Sequence, residues 1–201
     1  NKSRSPQGSV LGPLLYLIFI HDLPSDPNYV TATFADDTAL IAVGETENES
    51  TATLQTALNK ICQWTNTWKI KLNQTKSVHV VFTNTKIQHI PLYIDDQQVP
   101  YSNYAKYLGM TLDCKLRWKE HVKKKRQELD IKLKNMQWPM GSRSALTIEN
   151  KLLIYKQILR PVWSYGAHLW GCASQSTKNQ IQHFQNKVLR CRRYCLSLIH
   201  I

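Results

Sequence analysis

Hydrophobic and polar positions change period several times along the chain. Tyr29-Val30-Thr31-Ala32-Thr33-Phe34 and Thr38-Ala39-Leu40-Ile41-Ala42-Val43 are rich in β-branched and aromatic residues. Only Ala35-Asp36-Asp37 separates them, which predicts a hairpin with the carboxylates at or near its tip. Upstream, a loop rich in Gly and Pro over residues 6–13 feeds the apolar stretch 14–20, expected to be a short buried helix stopped by Pro24 and Pro27. A polar loop over 45–50 precedes a helix over 50–68, with Leu54, Leu58, Ile61, Thr65 and Trp68 on one face. Residues 77–83 predict a strand, 92–99 a second hairpin turning at Asp95-Asp96, and 105–112 a further apolar strand containing Tyr107-Leu108-Gly109-Met110.

The pattern becomes helical after Cys114. Residues 115–138 carry the apolar stripe Trp118, Val122, Leu129, Leu133 and Met136, with Lys123-Lys124-Lys125-Arg126 mostly outside it, and Pro139 and Gly141 close the helix. A second helix places Ala145, Ile148, Leu152, Tyr155 and Leu159 on one face until Pro161 kinks or ends it. After a break at Gly171, a third carries Ile181, Phe184 and Val188, with Lys187, Arg190, Arg192 and Arg193 near its end. The fold class is therefore α+β: a mixed module over 1–114 followed by a helical, basic module over 115–201.

Charge follows the same division. Of 26 Lys/Arg and 14 Asp/Glu, residues 1–114 hold 8 and 10, and residues 115–201 hold 18 and 4. A net charge of +12 concentrated in the second module points to a polyanionic partner, most simply nucleic acid. The apolar run 10–20 is short and interrupted by Gly12 and Pro13, so it does not span a bilayer, and no secretory leader is recognised. Five cysteines without CxxC spacing fit a reduced, intracellular protein. Cys191 and Cys195, with His183 or His200, do not complete a zinc pattern and read as idle thiols.

Asp36 and Asp37 are the candidate chemistry. Two like charges about 4 Å apart repel by roughly 4 kcal/mol at an effective dielectric near 20. A divalent cation compensates such a pair, and Mg²⁺ prefers carboxylate and phosphate oxygens. An ordinary acidic turn is the alternative for the dipeptide alone. Asp95-Asp96 reads as such a solvated turn.

The order of motifs is more specific. Ser5-Pro6-Gln7-Gly8-Ser9-Val10-Leu11-Gly12-Pro13 is followed by Phe34-Ala35-Asp36-Asp37, then by Trp64 and Trp68, Leu72-Asn73-Gln74-Thr75-Lys76-Ser77, and Tyr107-Leu108-Gly109-Met110-Thr111-Leu112-Asp113. Trp118, Asn150-Lys151-Leu152-Leu153-Ile154-Tyr155-Lys156 and the stretch from Ile158 to Gly166 complete the series. It resembles the reverse transcriptase of non-LTR retrotransposons, especially the jockey-like group, from about residue 5 to residue 193. A group II intron maturase shares the acidic hairpin, but the match through residues 150–166 argues against it.

The resemblance implies a partial polymerase palm, an antiparallel sheet with packed helices, followed by a helical thumb. It implies RNA-directed DNA synthesis by a two-metal mechanism, with Mg²⁺ at Asp36 and Asp37. Lys76 matches the lysine near the triphosphate, Gln7 and Gly8 the loop against the incoming nucleotide, and Ala35 the small residue that lets a primer end approach. Tyr107, Leu108 and Gly109 match the segment gripping the primer backbone. Lys123, Lys124, Lys125 and Arg126 fit phosphate contacts to the duplex. Partners would be an RNA template, a DNA primer and dNTPs, with no membrane, in nucleus and cytoplasm. Trp118, Trp138, Trp163 and Trp170 are base-stacking candidates whose helical spacing favours the core. The family's first catalytic Asp lies upstream of the Gln7-Gly8 loop, so these 201 residues by themselves are expected to be inactive. A relic that only binds nucleic acid is the alternative. Residues 196–201 match no pattern.

Overall fold

The computed structural model describes residues 10–85, 88–141 and 144–190. These form two compact units, one drawn from Asn1–Val81 and Thr85–Ser102, the other from Phe82–Asn84 and Asn103–Ile201. Among the described residues, helices accompany three two-stranded antiparallel ribbons, in keeping with the α+β class.

In the first unit, α1 (Leu11–Phe19) leads into β1 (Tyr29–Phe34) and β2 (Asp37–Ala42), paired from Tyr29↔Ala42 to Phe34↔Asp37. The expected buried helix at 14–20 starts earlier, ends at Phe19, and buries no residue. Its leucines, together with Val30, Ile41 and Phe34 of the hairpin (Phe34 65% exposed), form apolar surface. Its apolar residues occur all round the helix, so contact on one side leaves several in solvent.

Helix α2 (Glu47–Thr67) begins three residues before the expected start. Thr46 accepts a hydrogen bond from the Glu49 amide at 3.3 Å, and the Glu49 carboxylate accepts from the Glu45 amide at 2.9 Å. This Thr-x-x-Glu cap, with Glu47 in the first turn, suits the positive end of the helix dipole. Ala57 and Ile61 are buried, while Leu54, Leu58 and Cys62 pack on Leu92, Ile94 and Val99. Trp68, expected on that face, is largely exposed. The core strands are β3 (Tyr93–Ile94) and β4 (Gln97–Gln98), with Asp95 and Asp96 as the exposed turn that their spacing predicted. The Gln55 amide bonds both Tyr93 backbone groups at 2.9 Å, standing in for a missing strand.

The strand expected over 77–83 does not form. His79 makes a single parallel bridge with Tyr101, donating to the Pro100 carbonyl at 2.9 Å and accepting from Ser102 at 3.0 Å. Pro100 has no N–H to continue a ladder.

The second unit opens with β5 (Tyr104–Tyr107) and β6 (Met110–Asp113), where a single strand was expected. The Asp113 carboxylate accepts from the Arg117 and Trp118 amides at 3.0 and 2.9 Å, fixing the entry to α3 (Lys119–Asn135). Helix α3 ends before Pro139, which lies inside the short α4 (Gln137–Met140). Next come α5 (Ile148–Ile154), a π turn over Tyr155–Leu159, and α6 (Arg160–Ser164). Pro161 neither ends nor breaks this helix. The π turn, in which the Arg160 amide donates to the Tyr155 carbonyl five residues back, relieves the crowding that a proline ring imposes on the preceding turn. Helices α7 (Ala167–Trp170) and α8 (Gln175–Arg190) complete the unit. Its core joins Trp118, Val122, Leu129, Tyr155, Leu159, Trp170, Ile181, Phe184 and Val188, much as the stripes predicted, though Ala145 and Ile148 are exposed.

His121, 1% exposed, ties α3 to β6: its Nδ1 accepts from the Thr111 amide at 3.1 Å. Nε2 then carries the ring proton and has no partner among the described residues. Burial, with Lys125 and Lys124 nearby, holds this imidazole below the usual histidine range, and burial does the same to His79 against an opposing pull from Glu47. The unfolded chain takes up these protons near pH 6.5 while the folded one resists. Their contribution is therefore complete above about pH 6.5 and is lost as the pH falls below it. Urea midpoints are expected to be lower at pH 5.5 than at pH 8, and equal midpoints would contradict this account.

Candidate functional site

Ala35 and Asp36 make the whole connection between β1 and β2, because Phe34 pairs directly with Asp37. A two-residue loop forces Ala35 left-handed at φ 50°, a conformation costing an L-residue about 1–2 kcal/mol. The Tyr16 hydroxyl of α1 donates to the Ala35 carbonyl and holds that turn from the side. Helix α1 is itself anchored on α2. The Phe19 ring lies 5.8 Å from Trp64 and 5.0 Å from Trp68, and Asp22 accepts from both indoles, at 3.0 Å from Trp64 and 3.1 Å from Trp68.

Asp36 and Asp37 are exposed, and neither side chain has a hydrogen-bond or ion-pair partner among the described residues. Lys60, a cation of the same unit, is committed to Asp26 at 2.6 Å, and its hydrogen bond is the main cause holding that carboxyl below the usual range. The two carboxylates offer hard oxygen donors that no protein cation pairs with among the described residues, a donor set that suits a divalent cation. Among the described residues no cluster of three His, Cys, Asp or Glu forms. Lys76 belongs to the same unit and is exposed in an Asn73-centred turn, its amide 3.3 Å from Asn73 Oδ1. Gln7 and Gly8 lie outside the described residues, as do Arg192, Arg193, Cys191, Cys195 and His200.

Tyr107, Leu108 and Gly109 belong to the second unit. Leu108-Gly109 is not strand but a two-residue turn, with φ 45° and 75°, because Tyr107 pairs directly with Met110. Glycine accepts this conformation freely, whereas Leu108 is strained by about 1–2 kcal/mol. The Tyr165 hydroxyl donates to the Leu108 carbonyl at 2.7 Å.

The basic quartet divides. Arg126 pairs with Asp130 and lies 4.8 Å over the Phe184 ring, and Lys125 reaches Glu128 at 3.3 Å, so both serve helix packing. Lys123 and Lys124 are exposed without an ion-pair partner among the described residues. Of the tryptophans, Trp118 and Trp170 are core and Trp163 packs against it, but Trp138 is 86% exposed, contrary to the core expectation. Lys151, quoted only as part of a motif, is buried and donates to the Gly141 and Ser144 carbonyls at 3.2 Å.

Sequence reasoning passed over Tyr16 and Asp22 and quoted Asp113 and Tyr165 only as members of motifs, without a role. Trp64 and Trp68 at i, i+4 signal a shared face that needs an acceptor. Tyr16 sits inside an apolar run and gives no such signal.

The family model for reverse transcriptase (RNA-dependent DNA polymerase) matches residues 1–112. That is over half the chain, which belongs to this family. Within it the chain resembles the polymerases of jockey-like mobile elements. The probable RNA-directed DNA polymerase from transposon X-element of Drosophila melanogaster is 42% identical over 190 residues, 92% of this chain and 21% of the relative. The RNA-directed DNA polymerase from mobile element jockey of the same species is 34% identical over 193 residues, 92% of this chain and 21% of the relative. The probable polymerase from its transposon BS is 34% identical over 200 residues, 94% of this chain and 22% of the relative. The chain thus spans about a fifth of the length of these relatives. No solved structure matches it. Reverse transcriptases generally use divalent metals. No helix among the described residues is long and apolar enough to cross a membrane.

Asp22→Ala leaves two indole donors without their acceptor. It is expected to cost the first unit about 1 kcal/mol and to shift tryptophan emission to the red; an unchanged spectrum and midpoint would remove Asp22 from the anchor.

Proposed function

We propose that residues 1–114 are part of a polymerase palm and residues 115–201 a thumb, together serving template-directed DNA synthesis on RNA. The observation that carries this reading is the exposed Ala35-Asp36 turn, with two carboxylates free of protein cations among the described residues, in a chain of the reverse transcriptase family.

Asp36 would be the first metal ligand, through its carboxylate oxygens, and Asp37 the second or a support for it. When bound, Mg²⁺ supplies Lewis acidity to an in-line phosphoryl transfer. In that transfer the primer 3′-oxygen bonds the α-phosphorus of a dNTP, the bond to pyrophosphate breaks, and the hydroxyl proton passes to solvent. Lys76 offers its ammonium to the pyrophosphate as general acid. Ala35 presents only a methyl group at the tip, leaving room for a primer end, and Gln7 and Gly8 would line the incoming nucleotide. Tyr107, Leu108 and Gly109 would meet the primer backbone. Lys123 and Lys124 would meet duplex phosphates, whereas Lys125 and Arg126 are occupied within their helix unit.

Asp36→Asn, in a polypeptide of the relatives' full length that carries these residues, should lower primer extension at least about a hundredfold, the scale of losing several kcal/mol of metal stabilisation. Synthesis at the wild-type rate would remove Asp36 from the metal site. For the 201-residue chain, Lys123→Ala with Lys124→Ala should weaken duplex binding for every sequence alike and reduce the slope of log affinity against log salt by about two. An unchanged slope would place the duplex elsewhere.

A further inference from the structure

We propose that Tyr165 is a positioning residue for the Leu108-Gly109 turn, holding its backbone in the shape that meets a nucleic-acid strand. The inference rests on the reading of that turn as a primer contact, but the clamp itself stands on geometry within one unit. Tyr165 Oη donates to the Leu108 carbonyl at 2.7 Å across 57 positions of sequence. The same ring covers the next residue: a Cβ on Gly109 would lie 3.4 Å from Tyr165 Cε1 and 3.9 Å from Cζ and the hydroxyl. One side chain thus bonds the first residue of the turn and stands where a side chain on the second would meet it.

Tyr165 is also held from behind. Its carbonyl accepts from Nε1 of the buried Trp170 at 3.1 Å, and its amide donates to the Pro161 carbonyl at 3.2 Å. The next residue, Gly166, is left-handed at φ 65° and packs so closely on Met110 that a Cβ there would lie 2.5 Å from Met110 Sδ. The loop after α6 therefore grips the hairpin at Leu108, Gly109 and Met110 in succession. Leu108 at φ 45° is a strained conformer that persists only where its surroundings dictate it, and this grip is the surrounding that does so. Tyr165 keeps 51% of its surface exposed and Gly109 is exposed beside it, so the clamp and the turn share one accessible face. A strand laid on that face would meet backbone already fixed in shape, which lowers the ordering cost of binding.

Tyr165→Phe tests this with one oxygen removed and the ring retained. Two measurements on the 201-residue chain are needed: amide hydrogen exchange at Gly109 and Met110, and the Kd for a primer–template duplex well below the melting temperature. The expected result is faster exchange confined to the turn together with a Kd raised about three- to tenfold, the span of one lost hydrogen bond. The salt slope should stay unchanged, because no phosphate contact is removed. Unaltered exchange would overturn the clamp. Faster exchange with an unaltered Kd would overturn its role in binding. Tyr165→Leu, which also loses ring cover of Gly109, should exceed Tyr165→Phe in both measurements, and equal effects would overturn the hydroxyl-plus-ring account. A wild-type chain that bound no duplex would instead sink the reading of the turn as a nucleic-acid contact, while hydrogen exchange would still decide the clamp.

Discussion

A two-residue hairpin loop leaves the chain no slack, and this constraint organises both candidate surfaces. With Phe34 paired to Asp37, and Tyr107 to Met110, the first loop residue has to turn left-handed or the strands cannot meet. Neither Ala35 nor Leu108 favours that conformation. Each is met by a tyrosine of its own unit, Tyr16 on α1 in one case and Tyr165 in the loop after α6 in the other, donating to the carbonyl of the strained residue. The helices around each hairpin act alike, since α1 and the Trp64/Trp68 pair place one hydroxyl, and Pro161 to Trp170 place the other.

Much of this is visible in residue order. The acidic hairpin follows from its β-branched flanks, and the core of the second unit follows from stripes at Val122, Leu129, Leu159, Ile181 and Phe184. What escapes is decided by contacts distant in sequence or by missing groups. The run 77–83 has strand composition, but Pro100 leaves its neighbour without a donor. Leu108-Gly109 has apolar context, yet pairing of Tyr107 with Met110 makes it a turn. The start of α2 is legible in Thr46-x-x-Glu49, ahead of the apolar spacing that begins later and points to a later start. The role of Tyr16 depends on a partner 19 residues away and leaves no periodic trace.

Charge shows the same division between number and use. The basic quartet counts as four cations, but helix geometry commits Arg126 to Asp130 and Phe184 and Lys125 to Glu128. Within the quartet only Lys123 and Lys124 project without such engagements among the described residues, so this cluster offers a polyanion two cations rather than four. Lys151 and His121 lie further along the same scale, as polar groups drawn into the interior, where they fix the junctions between α4 and α5 and between β6 and α3.

The π turn at Tyr155–Leu159 has a consequence for angular phase. Each residue of a regular helix advances the next by about 100° around the axis. A π turn absorbs one residue more than an α turn, so everything beyond it is rotated from where unbroken α geometry would leave it. The buried positions ahead of the turn and those of α6 behind it are thus two parts of one rod, set out of step by a single inserted position. Helix α6 ends in that shifted phase one residue before Tyr165, whose hydroxyl reaches the Leu108 carbonyl. A deletion of one residue within Tyr155–Leu159 would restore regular α geometry and turn α6, with its buried Val162, by about 100° away from the face it now presents to the core.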